Sequence, residues 1–348
     1  MTHIVAVELR TSIGLTGASS CAAARAGICR IREHPFLLDP AGGPLRAAYD
    51  CVLEPWLLGW QRLLTLAEAG LRQIRPLLRW CPSGQKVPFL LALPEIRPGF
   101  REMDKQYILD WLKHLVLREG LPLQIDHVGE GHAGALDALR VGRELILGGK
   151  SDLVIIGGVD SYLDADTIQW LGVRRQLATR TTRAAFFPGE GSGFVALMSD
   201  WLQRASRQPS LAWVRGAAVI HDRKTNGALP VDPLGRGLTE AIRLATQDLR
   251  PKVEQVHRVF SDMNGERSRS EAWGFAVLRL HELFLDAGEY EAPAGAWGDL
   301  GAASGAALAA MAVHAWQRGF APGPLSLLVS SSQCGVHGAV LLQQRGMS

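Results

Sequence analysis

Two glycine-rich turns hold the residues best placed to do chemistry. The first, Val128-Gly129-Glu130-Gly131-His132-Ala133-Gly134, runs into a segment with helical spacing that lasts to about Leu147. The second, Trp297-Gly298-Asp299-Leu300-Gly301-Ala302-Ala303-Ser304-Gly305, stands in the same relation to a helix reaching about Trp316. The imidazole of His132 could serve as a nucleophile or a base. Its alternative role is a polar residue that caps a helix or lines a disused pocket. A helix start disfavours imidazolium and favours carboxylate, so a neutral His132 and an ionised Asp299 are expected.

Other chemistry is sparse. Cys21, Cys29, Cys51, Cys81 and Cys334 are odd in number, scattered, and form no C-x-x-C pair. This fits free thiols in a reducing cytoplasm. Cys334 precedes a strand rather than a helix, which suits a small packed residue better than a nucleophile. No G-x-S-x-G elbow occurs, and no His, Cys or Glu spacing suits a metal. Gly189, Gly191 and Gly193 recur in Phe187–Val195 (FPGEGSGFV), but no dinucleotide-type helix follows. They are expected to let another backbone approach closely.

The elements that must position these residues alternate between strands and helices. Ile4-Val5-Ala6-Val7 reads as a strand, with a small-residue helix from about Ser19 to Ala26. Glu54–Leu78 and Met103–Glu119 have helical apolar spacing, and Val87–Leu93 is a compact apolar run typical of a buried strand. After the first glycine-rich turn and its helix comes a strand, Asp152–Ile156, ended by Gly157-Gly158. The order recurs after the second turn, where Leu325–Val329 is the strand. Such repetition suggests two related halves, roughly 1–205 and 206–348. Ala306–Ala315 is apolar nearly all round, so this helix should be buried on every side, between two sheets. Trp56, Trp60 and Trp111, three of ten tryptophans, sit at helical spacing and are expected in the core.

Composition bounds the function. The 348 residues are 47% hydrophobic and 20% charged, ordinary for a chain that buries a large core without disulfides or metals. The net charge of +3 is dispersed, with short basic runs at Arg180–Arg183 and Arg243–Arg250, and no nucleic-acid module is visible. No apolar run spans a bilayer and no signal peptide is evident, so neither a nucleic-acid nor a membrane partner is expected.

A helix layer held between two sheets and built from two similar halves is the thiolase architecture, a five-layer αβαβα fold. Five segments resemble the β-ketoacyl synthase (3-oxoacyl-ACP synthase) family of that superfamily. They are Val5–Ile31, Ser151–Ser161 (SDLVIIGGVDS), Phe187–Val195, Gly298–Gly305 (GDLGAASG) and Cys334–Leu342 (CGVHGAVLL). They stand in the family's order. The resemblance implies acyl transfer from an acyl carrier protein or coenzyme A, no separate cofactor, and a homodimer joined sheet edge to sheet edge.

The catalytic set the resemblance implies is replaced at every position. Counting back from Gly157-Gly158, His132 stands where the family has its nucleophilic cysteine. Asn264, in Asp262-Met263-Asn264-Gly265-Glu266-Arg267, stands for the first histidine, and Asp299 for the second. Asn264 cannot shuttle a proton at neutral pH, and an ionised Asp299 cannot donate to an enolate oxyanion. The family's phenylalanine-bearing gate corresponds to Ser331-Ser332-Gln333-Cys334-Gly335. Gly157, Gly158, Gly189, Gly191, Gly193, Gly265, Gly298 and Gly301 are taken as structural turns. Three functions remain open. One is a non-condensing protein that binds acyl thioesters or a partner subunit. Another is an acyltransferase or thioester hydrolase using His132 with Asp299. The third is an adaptor, like thiolase-type proteins associated with type VI secretion effectors.

Overall fold

A computed structural model describes residues 1–222, 234–250 and 253–344. The first part of the chain supplies β1 (Thr2–Thr11), α1 (Gly17–Arg25), β2 (Arg32–Leu38), β3 (Pro44–Ala47), α2 (Gly59–Ile74) and β4 (Val87–Leu93). It continues with α3 (Glu102–Arg118), β5 (Leu123–Glu130), α4 (Gly134–Leu147), β6 (Leu153–Ser161), α5 (Ala165–Val173), β7 (Glu190–Ser199) and α6 (Asp200–Ser206). The second part supplies β8 (Ala212–His221), α7 (Arg236–Ala245), β9 (Arg258–Ser261), α8 (Arg267–Leu280) and β10 (Tyr290–Glu291). It ends with α9 (Ala294–Trp297), α10 (Ser304–Gln317), β11 (Leu325–Ser331) and β12 (Val336–Gln343).

The strands lie in the order β10-β9-β11-β12-β8-β1-β7-β6-β4-β5, with β2 and β3 forming a separate ribbon. Each half of that order is five strands from one part of the chain. The halves join through only two residue pairs, His3 with Trp213 and Ile4 with Ala212. So slight a seam lets the two halves fold over one another and enclose α4 and α10. One apolar cluster unites Leu90, Val154 and Val195 of the first half with Val214, Leu328 and Val340 of the second, around Leu136, Leu139, Ala306 and Ala310. The outer face of the first half packs on α2 and α3, through Leu66, Leu71, Ile108 and Leu112. That of the second packs on α7 and α8, through Leu238, Ile242, Trp273 and Ala276. The layers are therefore helix, sheet, helix, sheet, helix: the five-layer thiolase-like fold.

The all-apolar α10 follows the expectation, since every residue from Ser304 to Trp316 is buried. Its alanines and glycines let it lie close to both sheets. A side chain on Gly158 would stand 2.3 Å from the Ala302 carbonyl, and one on Gly193 2.8 Å from the Ala306 methyl.

Several expectations need correcting. Gly157 and Gly158 do not end their strand, because β6 runs on to Ser161, and Gly191 and Gly193 lie inside β7. They are grooves in the sheet for neighbouring rings and backbone rather than turns. Gly265, Gly298 and Gly301 do turn the chain, with φ of 107°, 74° and 47°, and Gly189 lies just outside β7. Val128–Glu130 belongs to β5, so the first glycine-rich turn shrinks to Gly131–Ala133. Trp56 and Trp111 are 75% and 47% exposed, and only Trp60 is half-buried. On α3 the buried stripe is Ile108, Leu112 and Val116, and Trp111 faces away, its indole N–H donating to Glu68.

Gly158→Ala should lower the free energy of unfolding by about 1–3 kcal/mol, because the added methyl meets main chain that cannot swing away. A shift of the urea midpoint at constant slope reads this. An unchanged midpoint would mean that α10 can retreat from the sheet.

Candidate functional site

His132 is held at the foot of α4 and Asp299 in the turn before α10, and the fold brings them together. The His132 Nε2 lies 2.7 and 2.9 Å from the two Asp299 carboxylate oxygens. Both side chains are 1% exposed. Asn264, in the loop after β9, donates through Nδ2 to Asp299 at 2.5 Å and to Glu266 at 3.1 Å. The Gly301 amide also donates to Asp299, at 2.8 Å. His132, Asn264 and Asp299 thus form one bonded group.

Sequence reasoning missed the residue that closes this group. Arg269, in the first turn of α8, has its Nη2 3.3 Å from both ring nitrogens of His132. Equal distances to both put the guanidinium over the ring rather than along either N–H. It also pairs with Asp262 at 2.5 Å and with Glu266 at 3.1 Å, and it donates to the Ser331 carbonyl at 2.8 Å. The available signal was the spacing Asp262, Glu266, Arg269, which puts two acids just ahead of a base around a helix start.

Burial raises the cost of every charge here, and the pairing overrides it. For Asp299 desolvation pushes the carboxyl upward, but His132, Arg269 and Asn264 hold it well below the usual carboxylate range. For His132 desolvation works against the proton and Arg269 adds to it. The contact with Asp299 prevails and raises the imidazole above its ordinary value. The direction is opposite to the one a helix terminus alone would impose, because the carboxylate is in direct contact. Glu266 is lowered against desolvation by Arg269, Gln176 and Asn264.

His132 does not cap α4. The Ala133 amide donates instead to the Ser332 hydroxyl at 2.9 Å, and that hydroxyl donates to the Glu130 carbonyl at 2.8 Å. Ser331 ends β11, and Ser332 to Gly335 form the tight turn into β12. The amides of Gln333 and Cys334 both donate to Glu95. Burial, with Glu95 beside it, pushes the Cys334 thiol up to about 12, so it stays protonated. A second buried pair fixes the Asp299 turn: Arg97 binds Asp160 at 2.6 Å, and Asp160 accepts from the Ala302 amide at 2.9 Å. Gly301 is needed there, since a methyl at that position would lie 2.0 Å from the Asp160 carboxylate.

A pocket of about 140 Å³ opens on the far side of Arg269, lined by Leu238, Met263, Trp273, Ser331 and His337 among others. Neither His132 nor Asn264 lines it. Asp299 borders a second space of only about 20 Å³. Among the described residues no group of three acids, histidines or cysteines is arranged to hold a metal. Also among them, no helix is long and apolar enough to cross a membrane.

No protein-family profile and no curated protein matches the sequence. Solved structures do. A complex titled as a type II PKS acyl-carrier protein with its ketosynthase bound to the hexaketide superposes with a TM-score of 0.78 at 14% identity, over 99% of both chains. A ketosynthase in complex with its chain length factor from Xenorhabdus doucetiae gives 0.77 at 16% identity, over 99% of this chain and 98% of that one. The ishigamide ketosynthase/chain length factor gives 0.67 at 16%, over 99% of both chains. The fold is shared with all three.

Asp299→Ala should cost about 3–5 kcal/mol, because it leaves His132 buried without its carboxylate. The pair also sets a pH profile. The raised His132 stabilises fully below its unfolded value near 6.5, and that contribution is lost as pH rises through the folded value. The lowered Asp299 stabilises above about 3.9, and its share is lost as pH falls. The melting-temperature difference between wild type and Asp299→Asn should therefore peak between about pH 4 and 6.5. A difference flat from pH 4 to 9 would contradict a charged pair.

Proposed function

Proceeding from a fold shared with ketosynthases and chain length factors, we propose that this chain is a non-condensing relative of them. It holds an acyl thioester or a partner subunit without joining carbon units. His132, Asn264 and Asp299 take the places of the family's cysteine and two histidines, and the halves 1–205 and 206–348 correspond to the family's duplicated units.

The observation that carries this is the closed cluster at the start of α4. Condensation needs an accessible thiolate there and two neutral donors for the enolate oxygen. Here His132 is 1% exposed, clasped by Asp299 on one side and covered by Arg269 on the other. With its Nε2 against the Asp299 carboxylate and the Arg269 guanidinium over the ring, neither nitrogen is open to an acyl thioester. Asp299 would repel an enolate, and Asn264 moves no proton at neutral pH.

The protein partner is a second copy or a related subunit. β5 supports this: among the described residues it is an eight-residue strand with only β4 beside it, at the end of the sheet, whereas β10 at the other end has two residues. An unpaired edge of that length is a template for strand pairing.

The test offers acyl and malonyl thioesters of coenzyme A and of an acyl carrier protein. The expected outcome is no carbon dioxide release and no β-ketoacyl product. Product formation, or an acyl adduct mapping to His132 and lost in His132→Ala, overturns the proposal. Light scattering should give the mass of two chains, and a monomer at micromolar concentration would remove the edge-pairing part.

A further inference from the structure

Ser331 and His337 line the pocket beyond Arg269, and Asp222 is bonded to His337, so a nucleophile, a base and an orienting carboxylate lie in one row. Ser331 closes β11 and His337 is the second residue of β12, and the two are register partners across that antiparallel pair. Asp222 immediately follows β8, whose His221 is opposite Val336 on β12. Three neighbouring strand ends therefore deliver the three side chains to one place. The Ser331 hydroxyl lies 2.8 Å from His337 Nδ1, and His337 Nε2 lies 3.0 Å from the Asp222 carboxylate.

The surroundings fit the row. The Ser331 main chain is fixed from both sides, its amide by Asp262 and its carbonyl by Arg269, each at 2.8 Å. Its hydroxyl remains for His337. Gly237 at the start of α7 leaves the room the row needs: a methyl there would stand 2.4 Å from the His337 ring and 2.9 Å from Asp222. The His337 side chain is 8% exposed and that of Asp222 26%. Leu238, Met263, Trp273 and Val329 make one wall of the pocket apolar, while Arg174 and Arg269 with Asp262 and Glu266 make another charged.

We infer that Ser331, with His337 as base and Asp222 as the positioning residue, takes an acyl group from a short-chain acyl thioester and passes it to water. A side chain bonded to a base that is itself oriented by a third group is the arrangement that activates a hydroxyl. The Ser331 oxygen bonds to the thioester carbonyl carbon while its proton passes to His337. The carbon–sulfur bond breaks, and the departing sulfur takes that proton. A water then gives a proton to His337 and bonds to the carbonyl carbon of the Ser331 ester. The ester bond breaks, Ser331 recovers its proton from His337, and the carboxylic acid leaves. Thioester and water become acid and thiol, with no redox partner. The space is of the order that holds a six-carbon ring, which limits the acyl group to a short one.

This site shares with the proposed function only the thioester class of substrate and uses none of the residues of the closed cluster. The folded protein is treated with an alkyl fluorophosphonate, and the labelled peptide is mapped by mass spectrometry. The label should fall on Ser331 and be lost in Ser331→Ala. Acetyl- and butyryl-coenzyme A are then followed by chromatography for free coenzyme A. Turnover should fall at least about 100-fold in His337→Gln. In Asp222→Asn kcat should fall at least about tenfold with KM within about twofold. Absence of label on Ser331 in wild type, with hydrolysis no faster than buffer, would falsify the inference. So would turnover that survives Ser331→Ala. Condensation is read from a different product, so either result stands without the other.

Discussion

The Asp299 carboxylate, with 2% of its residue's surface exposed, is the interaction from which the interior is organised. A buried anion is tolerable only when charge and hydrogen bonds surround it. Its hydrogen-bond partners come from three places in the chain, His132 below α4, Asn264 after β9 and the Gly301 amide ahead of α10, and the Arg269 guanidinium on α8 stands against the His132 ring. The two enclosed helices are thereby tied to each other and to the outer helix layer. Deleting one partner leaves the others charged or unpaired in a dry interior, so the group acts as a unit rather than as separate bonds.

That unit is possible because the helices approach so closely. Packing two helices between two sheets leaves no depth for long side chains at their crossings, which is why glycine and alanine dominate α10 and the strand positions facing it. The same closeness excludes water from the cluster. It strengthens the attraction of Asp299 for His132 enough to reverse the preference a helix terminus alone would impose.

Much of the architecture is legible in the residues because it depends on local pattern. The strand Val87–Leu93 is an unbroken apolar run bounded by polar turns, and α10 is apolar on all faces, which only an enclosed helix can be. Where the pattern has two physical causes, sequence reasoning errs. Glycine pairs such as Gly157-Gly158 signal a turn or a close approach equally well, and only the packing of Ala302 against the strand decides between them. Tryptophan at helical spacing gives the wrong face for Trp111, because α3 has a sufficient stripe in Ile108, Leu112 and Val116. His132 and Asp299 stand out because each sits in a glycine-rich turn ahead of a helix. Arg269, in a charged helix start among other arginines, has no such mark. The row formed by Ser331, His337 and Asp222 is not legible either, since its last member is 109 residues from its first and meets it only through strand order.

One strand end links the two regions. Ser331 is the last residue of β11 and Ser332 the first of the turn that follows, and their hydroxyls bond different partners. Ser332 turns inward and binds the Ala133 amide at the foot of α4, completing the seal around His132. Ser331 turns outward, to His337 and the pocket. Arg269 stands between, against the His132 ring on one side and on the Ser331 carbonyl on the other. The closed cluster and the open pocket are thus two faces of one wall. A wall braced by that many buried ion pairs holds Ser331 rigidly, and rigidity is what a nucleophile aligned with its base requires. On the functions proposed here, the charges that shut the interior position of His132 also hold the Ser331 main chain in place.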